Sequence, residues 1–345
     1  MKKYLLPKEG FFYKANLHTH STVSDGRLSP EELKKAYKDL GYSILAYTDH
    51  DVMISQMHLR DEEFLPLIGI EYDVNRNSDG PLSEGNTCHF GFIALDENMD
   101  TQILWHREKY VPNAAKHSIP LVKFDESVPD YERTYTPECI TEMMRAGRDA
   151  NFFVIYNHPT WSQESYNQYI SYDGMHAMEI VNNISNAGTS GVFEYNDRVY
   201  DDMLRAGKRI FCIAADDAHA KYAPGTPRCD IGGAYIMVKA ERLDYPSVAK
   251  ALKEGNFYSS EGPEINALWY EDGKICIDSS PADRIVFTTY PARGNAVRDV
   301  DGEDITHAEF ELNDRHAFVR VTVIDKAGKR AYTNAYFTDE LKTAE

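Results

Sequence analysis

Short apolar runs alternate with capped amphipathic stretches from Gly10 to about Gly262, the pattern of βα units around a parallel sheet or barrel. Ser29-Pro30-Glu31-Glu32 supplies a helix N-cap, a proline at the first helical position and a capping-box glutamate, and Gly41 closes that helix. Residues 43–47, Ser-Ile-Leu-Ala-Tyr, then read as a buried strand leading into Thr48-Asp49-His50. Further strands are expected at 65–70, 88–95, 152–156, 177–181 and 210–214. Helices are expected at 136–150 and 192–206, where apolar residues recur near helical spacing.

After Glu261-Gly262-Pro263 the pattern changes. Strand-like runs at 265–270, 274–278, 285–289, 308–312, 317–324 and 332–337 follow one another, separated by turn pairs such as Asp272-Gly273 and Ala327-Gly328. The chain is therefore expected to divide into residues 10–262 and a tail, 263–345, that reads as a small antiparallel β-sandwich. The tail carries no cluster of ligand side chains and no evident nucleophile, so packing against the larger unit is its expected role.

Composition narrows the partners. The 345 residues hold 37 Lys+Arg against 55 Asp+Glu, a formal charge of −18, which disfavours long nucleic acids because their binding needs a basic face. No apolar window reaches the ~18 residues of a membrane span, and Met1-Lys2-Lys3-Tyr4-Leu5-Leu6-Pro7 develops no signal-peptide core. Cys88, Cys139, Cys212, Cys229 and Cys276 are odd in number and contain no C-x-x-C pair, which argues against a disulfide framework and a thiolate zinc site. A reducing cytoplasm is the expected compartment.

Candidate chemistry lies at strand ends. Asn16-Leu17-His18-Thr19-His20 places two histidines at i and i+2, on one face of an extended segment, and Asp217-Ala218-His219 repeats the spacing after the 210–214 strand. His50, Glu71 and His158 follow strands, where a parallel barrel builds its site, while His89 begins one. Imidazole and carboxylate together suit zinc, manganese or iron. Of the 12 histidines, six fall in this set, and the others read as surface or core residues.

His18-Thr19-His20, Ser24-Asp25-Gly26, Thr48-Asp49-His50, Gly69-Ile70-Glu71, Asn157-His158-Pro159 and Asp217-Ala218-His219, in this order, resemble the signatures of the PHP (polymerase and histidinol phosphatase) superfamily of metal-dependent phosphoesterases. The resemblance spans roughly Phe12 to Gly262 and implies a distorted (β/α)7 barrel with two or three divalent ions (zinc, manganese or iron) at its mouth. Carried over position by position, the first ion would take His18, His20, Glu71 and Asp217. The second would take Asp25, His50 and His219. The third would take His89 and His158, sharing Glu71. Asp25 stands where some members have histidine. Asp217 rather than Asp216 is the expected ligand, since the D-x-H spacing puts it on the face of His219.

The expected reaction is hydrolysis of a small phosphate ester (a nucleotide, sugar or polyol phosphate), a monoester before a diester. A hydroxide bridging two ions would be the nucleophile, with Asp25, His50, Glu71, Asp217 and His219 around it. The alternatives are a metal-dependent hydrolase of a non-phosphate bond and a protein that binds phosphorylated ligands without turnover. Arg27, Arg76, Lys123, Arg133, Lys221 and Arg228 lie on loops near ligand segments, and Lys221 and Arg228, which follow His219, are the preferred phosphate contacts. Trp161 is the candidate for stacking against the substrate, beside Tyr166, Tyr169 and Tyr172. Asp49, which could orient a ligand histidine, and Asn157 are candidate supports for ligands or else cap local turns, and Glu179, at a strand end, either lines the pocket or is structural.

Overall fold

A computed structural model describes residues 2–76, 86–185, 194–222, 226–298 and 302–342. Its strands, in chain order, are β1 (Lys3–Tyr4), β2 (Phe11–Asn16), β3 (Ile44–Tyr47), β4 (Leu65–Asn75), β5 (Thr87–Ala94), β6 (Phe152–Tyr156), β7 (Ala177–Asn182), β8 (Phe211–Ala215), β9 (Tyr235–Ala240) and β10 (Phe257–Ser260). The tail adds β11 (Ile265–Glu271), β12 (Lys274–Ala282), β13 (Arg284–Pro291), β14 (Asn295–Arg298), β15 (Ile305–Glu311), β16 (His316–Ile324), β17 (Arg330–Tyr332) and β18 (Tyr336–Phe337).

Strands β2 to β8 pair in sequence order. They close at one end, where Thr19, just past β2, bridges Ala218, just past β8, and His20 N–H donates to the Ala218 carbonyl at 2.9 Å. This is a distorted (β/α)7 barrel, and the closure lies among the residues expected to bind metal.

Strand residues alternate between two cores, as a two-residue period requires. Leu65 and Leu67 of β4 join Ala15, Ile44, Ile93, Phe153 and Ile213 in a cluster contributed by most of the ring. Ile68, Ile70, Tyr72 and Val74 join a second cluster with Ile140, Met143 and Met144 of helix Pro137–Asp149 and with Met203 and Leu204 of helix Asp197–Arg205. The same alternation puts Glu71 and Asp73 on the face of Leu65 and Leu67, and the apolar floor gives way to acids near the mouth.

Helix starts follow the local chemistry. Ser29 accepts from the Glu32 amide while the Glu32 side chain returns to the Ser29 amide, a complete capping box on helix Pro30–Asp39. Thr136 caps Pro137–Asp149 through the Cys139 amide.

The tail forms two facing antiparallel sheets around Leu268, Ile275, Ile277, Ile285, Phe287, Val319, Val321 and Val323. One sheet, β1-β11-β12-β15, takes its edge strand from the N-terminus. The other runs β14-β13-β16-β17 and continues through β10 and β9 into β2, so backbone hydrogen bonding crosses from sandwich to barrel.

Several expectations need correction. The barrel is not wholly parallel, because β5 runs antiparallel to both β4 and β6. The run expected as one strand at 332–337 is two short strands, β17 and β18, with Thr333 and Asn334 between them spending their side chains on other segments. Strands β9, β10 and β14 and helix Tyr245–Glu254 lay outside the expected set. The helix expected at 192–206 starts at Asp197; its first two residues fall outside the described residues. Among the described residues no helix is long and apolar enough to cross a membrane.

Candidate metal centre

All nine expected ligands converge on the barrel mouth. The reversed direction of β5 explains His89: the N-terminal end of an antiparallel strand lies at the same end of the barrel as the C-terminal ends of β4 and β6, and His89 sits opposite Asp73 in register.

Among the described residues, three groups of four can each bring donor atoms within 4.8 Å of one another: His18, His20, Glu71 and Asp217; His20, Asp25, His50 and His219; and His50, Glu71, Asp73 and His89. In the first, His18 Nε2 lies 3.1 Å from Glu71 Oε1, 3.2 Å from Asp217 Oδ1 and 3.0 Å from His20 Nε2. His20 Nε2 lies 3.0 Å from Asp217 Oδ1 and 3.4 Å from Glu71 Oε2. Ligand bonds of ~2.0–2.2 Å in a tetrahedron give edges of about 3.3–3.6 Å, so these donors stand at or a few tenths of an ångström inside the spacing that a small cation would impose. In the second, His219 Nε2 is 3.2 Å and His50 Nε2 3.8 Å from Asp25 Oδ1. His158 belongs to none of the three groups; its Nε2 stands 3.2 Å from Glu71 Oε1 and 3.8 Å from Asp217 Oδ2.

The donor set fits divalent cations on a direct observation. His20 Nδ1, Asp25 Oδ1, Glu71 Oε2, Asp217 Oδ1 and both ring nitrogens of His89 are buried without a hydrogen-bond partner among the described residues. Such orphaned groups are rare in folded proteins because each costs the free energy of its lost hydration. Charge gives the same account. Burial opposes protonation of His18, yet Asp217, Glu71 and Glu179 outweigh it and hold its pKa well above the imidazole value. Burial likewise opposes ionisation of Glu71, and His18, His89 and His158 outweigh it and hold the carboxyl well below its usual range. The cluster favours negative carboxylates gathered around positive charge, which bound cations would supply.

Supporting groups set the tautomers. His18 Nδ1–H donates to Glu179 Oε1 at 2.7 Å and His219 Nδ1–H to the Asp217 carbonyl at 3.0 Å, leaving each Nε2 with its lone pair toward the donors described above. Glu179 also accepts from the His158 amide and from Asn182, both at 2.9 Å. Asn157 Nδ2 donates to Glu71 Oε1 at 2.7 Å. Asp49 contacts no ligand histidine through these bonds; its carboxylate accepts from the amides of Ser21 and Ser24 at 2.7 and 3.1 Å and from both hydroxyls, pinning the loop that carries Asp25. In that loop Gly26 has no substitute, since a Cβ there would lie 2.2 Å from the His20 carbonyl oxygen. His158 and Asp217 adopt φ of 26° and 51°, left-handed values unusual outside glycine, a strain tolerated where side chains must be aimed.

Asp216 turns away from the centre and accepts from Tyr37 and from the amides of Gly232, Gly233 and Ala234. Burial pushes its carboxyl up to about 6 against those bonds.

A cavity of about 390 Å³ opens over the centre, and Lys221, Arg228 and Trp161 all line it. The Trp161 ring lies 5.0 Å from the His158 ring and 5.6 Å from that of His89. Of its aromatic neighbours in sequence, Tyr169 and Tyr172 are core residues and Tyr166 is exposed. Arg27, Arg76, Lys123 and Arg133 do not line the cavity; Arg133 is buried in an ion pair with Asp51 and Lys123 pairs with Asp100. Asp73 was absent from the sequence-derived set, although Glu71-Tyr72-Asp73 repeats the i, i+2 spacing of His18-Thr19-His20.

The PHP domain model matches residues 16–223, more than half of the chain. The chain belongs to the PHP family. All nine candidate donors, from His18 to His219, lie within the matched span, and together with membership they support a metal-dependent hydrolase. Among solved structures, the chain is similar to a two-domain protein from Bacteroides vulgatus containing a predicted PHP-like metal-dependent phosphoesterase, with 14% identity over 97% of this chain and 98% of that one and a TM-score of 0.43. It is also similar to a candidate metal-dependent phosphoesterase from Bifidobacterium adolescentis, at 18% identity over 64% and 91% with a TM-score of 0.37. An amidohydrolase from Chromobacterium violaceum shares 16% identity over 62% and 93%, with a TM-score of 0.35. No curated protein matches.

Proposed function

We propose that this PHP protein hydrolyses a small phosphorylated metabolite, a phosphate monoester before a diester, with residues 10–262 as the catalytic unit and 263–345 as a sandwich packed on it. The observation that carries the reading is the cavity itself: a floor of imidazoles and carboxylates suited to divalent cations, faced by Lys221 and Arg228 at its wall. An anionic ester suits both surfaces.

His18, His20, Glu71 and Asp217 would hold one ion and Asp25, His50 and His219 a second, with His89 and His158 beside Glu71 at a third position. Bound divalent ions supply Lewis-acid charge and lower the pKa of water toward neutrality. The chain does the rest. Glu179 and the Asp217 carbonyl keep two histidines in the ligating tautomer, Asn157 holds the shared carboxylate, and Asp49 fixes the Asp25 loop. Lys221 and Arg228 offer charge-assisted hydrogen bonds to phosphoryl oxygens, while Trp161 presents an apolar wall to the organic part of the ester. Zinc, manganese and iron all suit the donors.

The test is a phosphate-release screen of the metal-analysed full chain over monoesters, diesters and bisphosphates, with carbonyl esters and amides as controls. Release from monoesters, lost in His18→Ala/His20→Ala, supports the proposal. Turnover confined to carbonyl substrates, or phosphate-ester binding without release, overturns it.

A further inference from the structure

The inward face of β4 continues beyond Glu71 to Asp73, which the register sets directly across from His89. Asp73 is 4% exposed and His89 2%. Asp73 Oδ1 lies 3.4 Å from His89 Nδ1, and Glu71 Oε1 lies 3.5 Å from the same nitrogen. These separations fall within the edge length of about 3.3–3.6 Å expected for ligands around one small cation. Neither ring nitrogen of His89 has a well-formed hydrogen bond among the described residues, so a buried imidazole faces two carboxylates at the outer limit of hydrogen-bonding distance.

We infer that Asp73 is a protein ligand of a divalent cation held with Glu71 and His89, so that this position offers two carboxylates where the family resemblance implies only Glu71. The inference rests on the metal-dependent reading above. The same Asp73 oxygen stands 3.0 Å from His50 Nδ1 and accepts its proton, which leaves His50 Nε2 facing Asp25. Asn113 Nδ2 donates to the other Asp73 oxygen at 3.3 Å, and the Asp73 carbonyl accepts from Arg133, so carboxylate and backbone are both held in place. Asp73 thereby ties the His50 and Asp25 position to the His89 position. Carboxylate-rich coordination also shifts the preference of this position from zinc toward manganese.

The test is metal content per chain, by elemental analysis, of the full-length wild type, Asp73→Asn, His89→Ala and the double variant after dialysis against metal-free buffer. The expected result is one equivalent fewer in each single variant than in the wild type, with no further loss in the double variant. Asp73→Asn retaining the full wild-type complement overturns the inference and leaves Asp73 as a partner of histidines. A wild type that holds no divalent metal overturns the metal-dependent reading too, which separates the two failures. As a second measurement, Asp73→Cys loaded with cadmium replaces the carboxylate by a thiolate that prefers soft ions. Thiolate-to-cadmium charge-transfer absorption above that of wild type supports coordination at position 73. Its absence in a variant that still melts cooperatively overturns it.

Discussion

Replacing Glu179 with glutamine keeps the side chain's shape and reverses one of its hydrogen bonds. The carboxylate, fully buried, faces three donors: His18 Nδ1–H at one oxygen, and the His158 amide and Asn182 Nδ2 at the other. Glutamine has a single carbonyl oxygen. If that oxygen keeps His158 and Asn182, its amide group meets His18 Nδ1 and forces the proton to Nε2, where the lone pair toward Glu71 and Asp217 disappears. If it keeps His18, the amide group meets two N–H donors instead. The first arrangement lowers cation affinity at the His18 position by about 10–100-fold, the usual effect of losing a ligand's supporting partner, or ~1.4–2.7 kcal/mol. The second leaves buried donors unsatisfied and costs ~1–3 kcal/mol of stability. Chelator competition followed by elemental analysis reads the first, and thermal unfolding of metal-free protein the second. Glu179→Gln with metal affinity and melting temperature both unchanged would refute the reasoning.

Metal uptake should expel protons, because carboxylates hold His18 and His50 above 6.5 in the metal-free protein and only neutral imidazole ligates. Affinity therefore weakens as pH falls, beginning above 6.5, and a lightly buffered titration with no proton release at pH 6.5 would contradict this. At cation concentrations 100-fold above its dissociation constant, each ion stabilises the fold by about 2.7 kcal/mol, so chelation should lower the melting temperature. Lys221→Ala and Arg228→Ala should each raise KM for a phosphate monoester about tenfold or more, the worth of a hydrogen bond to a charged group; steady-state kinetics with KM unchanged in both removes them from the substrate. Gly26→Ala should displace the Asp25 loop, lowering metal content and costing ~1–3 kcal/mol in thermal unfolding, since its Cβ would meet backbone rather than a movable side chain. At the barrel–sandwich junction, burial, with Glu194 nearby, pushes the Glu261 carboxyl up to about 7 from 4.5. The unfolded chain releases this proton first, so stability falls as pH rises from 4.5 to 7 by up to about 3 kcal/mol. Glu261→Gln should flatten that slope in unfolding curves taken at pH 5 and 8.

The candidate donors that converge at the mouth were legible because their patterns are local. Strand periodicity puts His18 with His20 and Asp217 with His219 on common faces, and apolar runs place His50 and His158 just past strands; Glu71, expected to follow a strand ending at 70, lies inside β4, which pairing with β5 carries on to Asn75. Local rules also set the Ser29 capping box and the change of character after Gly262. What one strand's pattern cannot show is its direction relative to its neighbours. His89 reaches the mouth only because β5 runs backward, and that reversal depends on pairing with β4 and β6, whose cost and reward lie in contacts distant in sequence. Asp73 stayed hidden for the same reason, since only the register shows that this acid stands across from a histidine whose buried ring nitrogens have no hydrogen-bond partner among the described residues. The roles of Asp49 and Glu179 were likewise ambiguous until the loop amides and His18 Nδ1 came within hydrogen-bonding distance. Composition and periodicity determined which side chains could take part; the antiparallel turn of one strand and the burial it imposes decided how they meet.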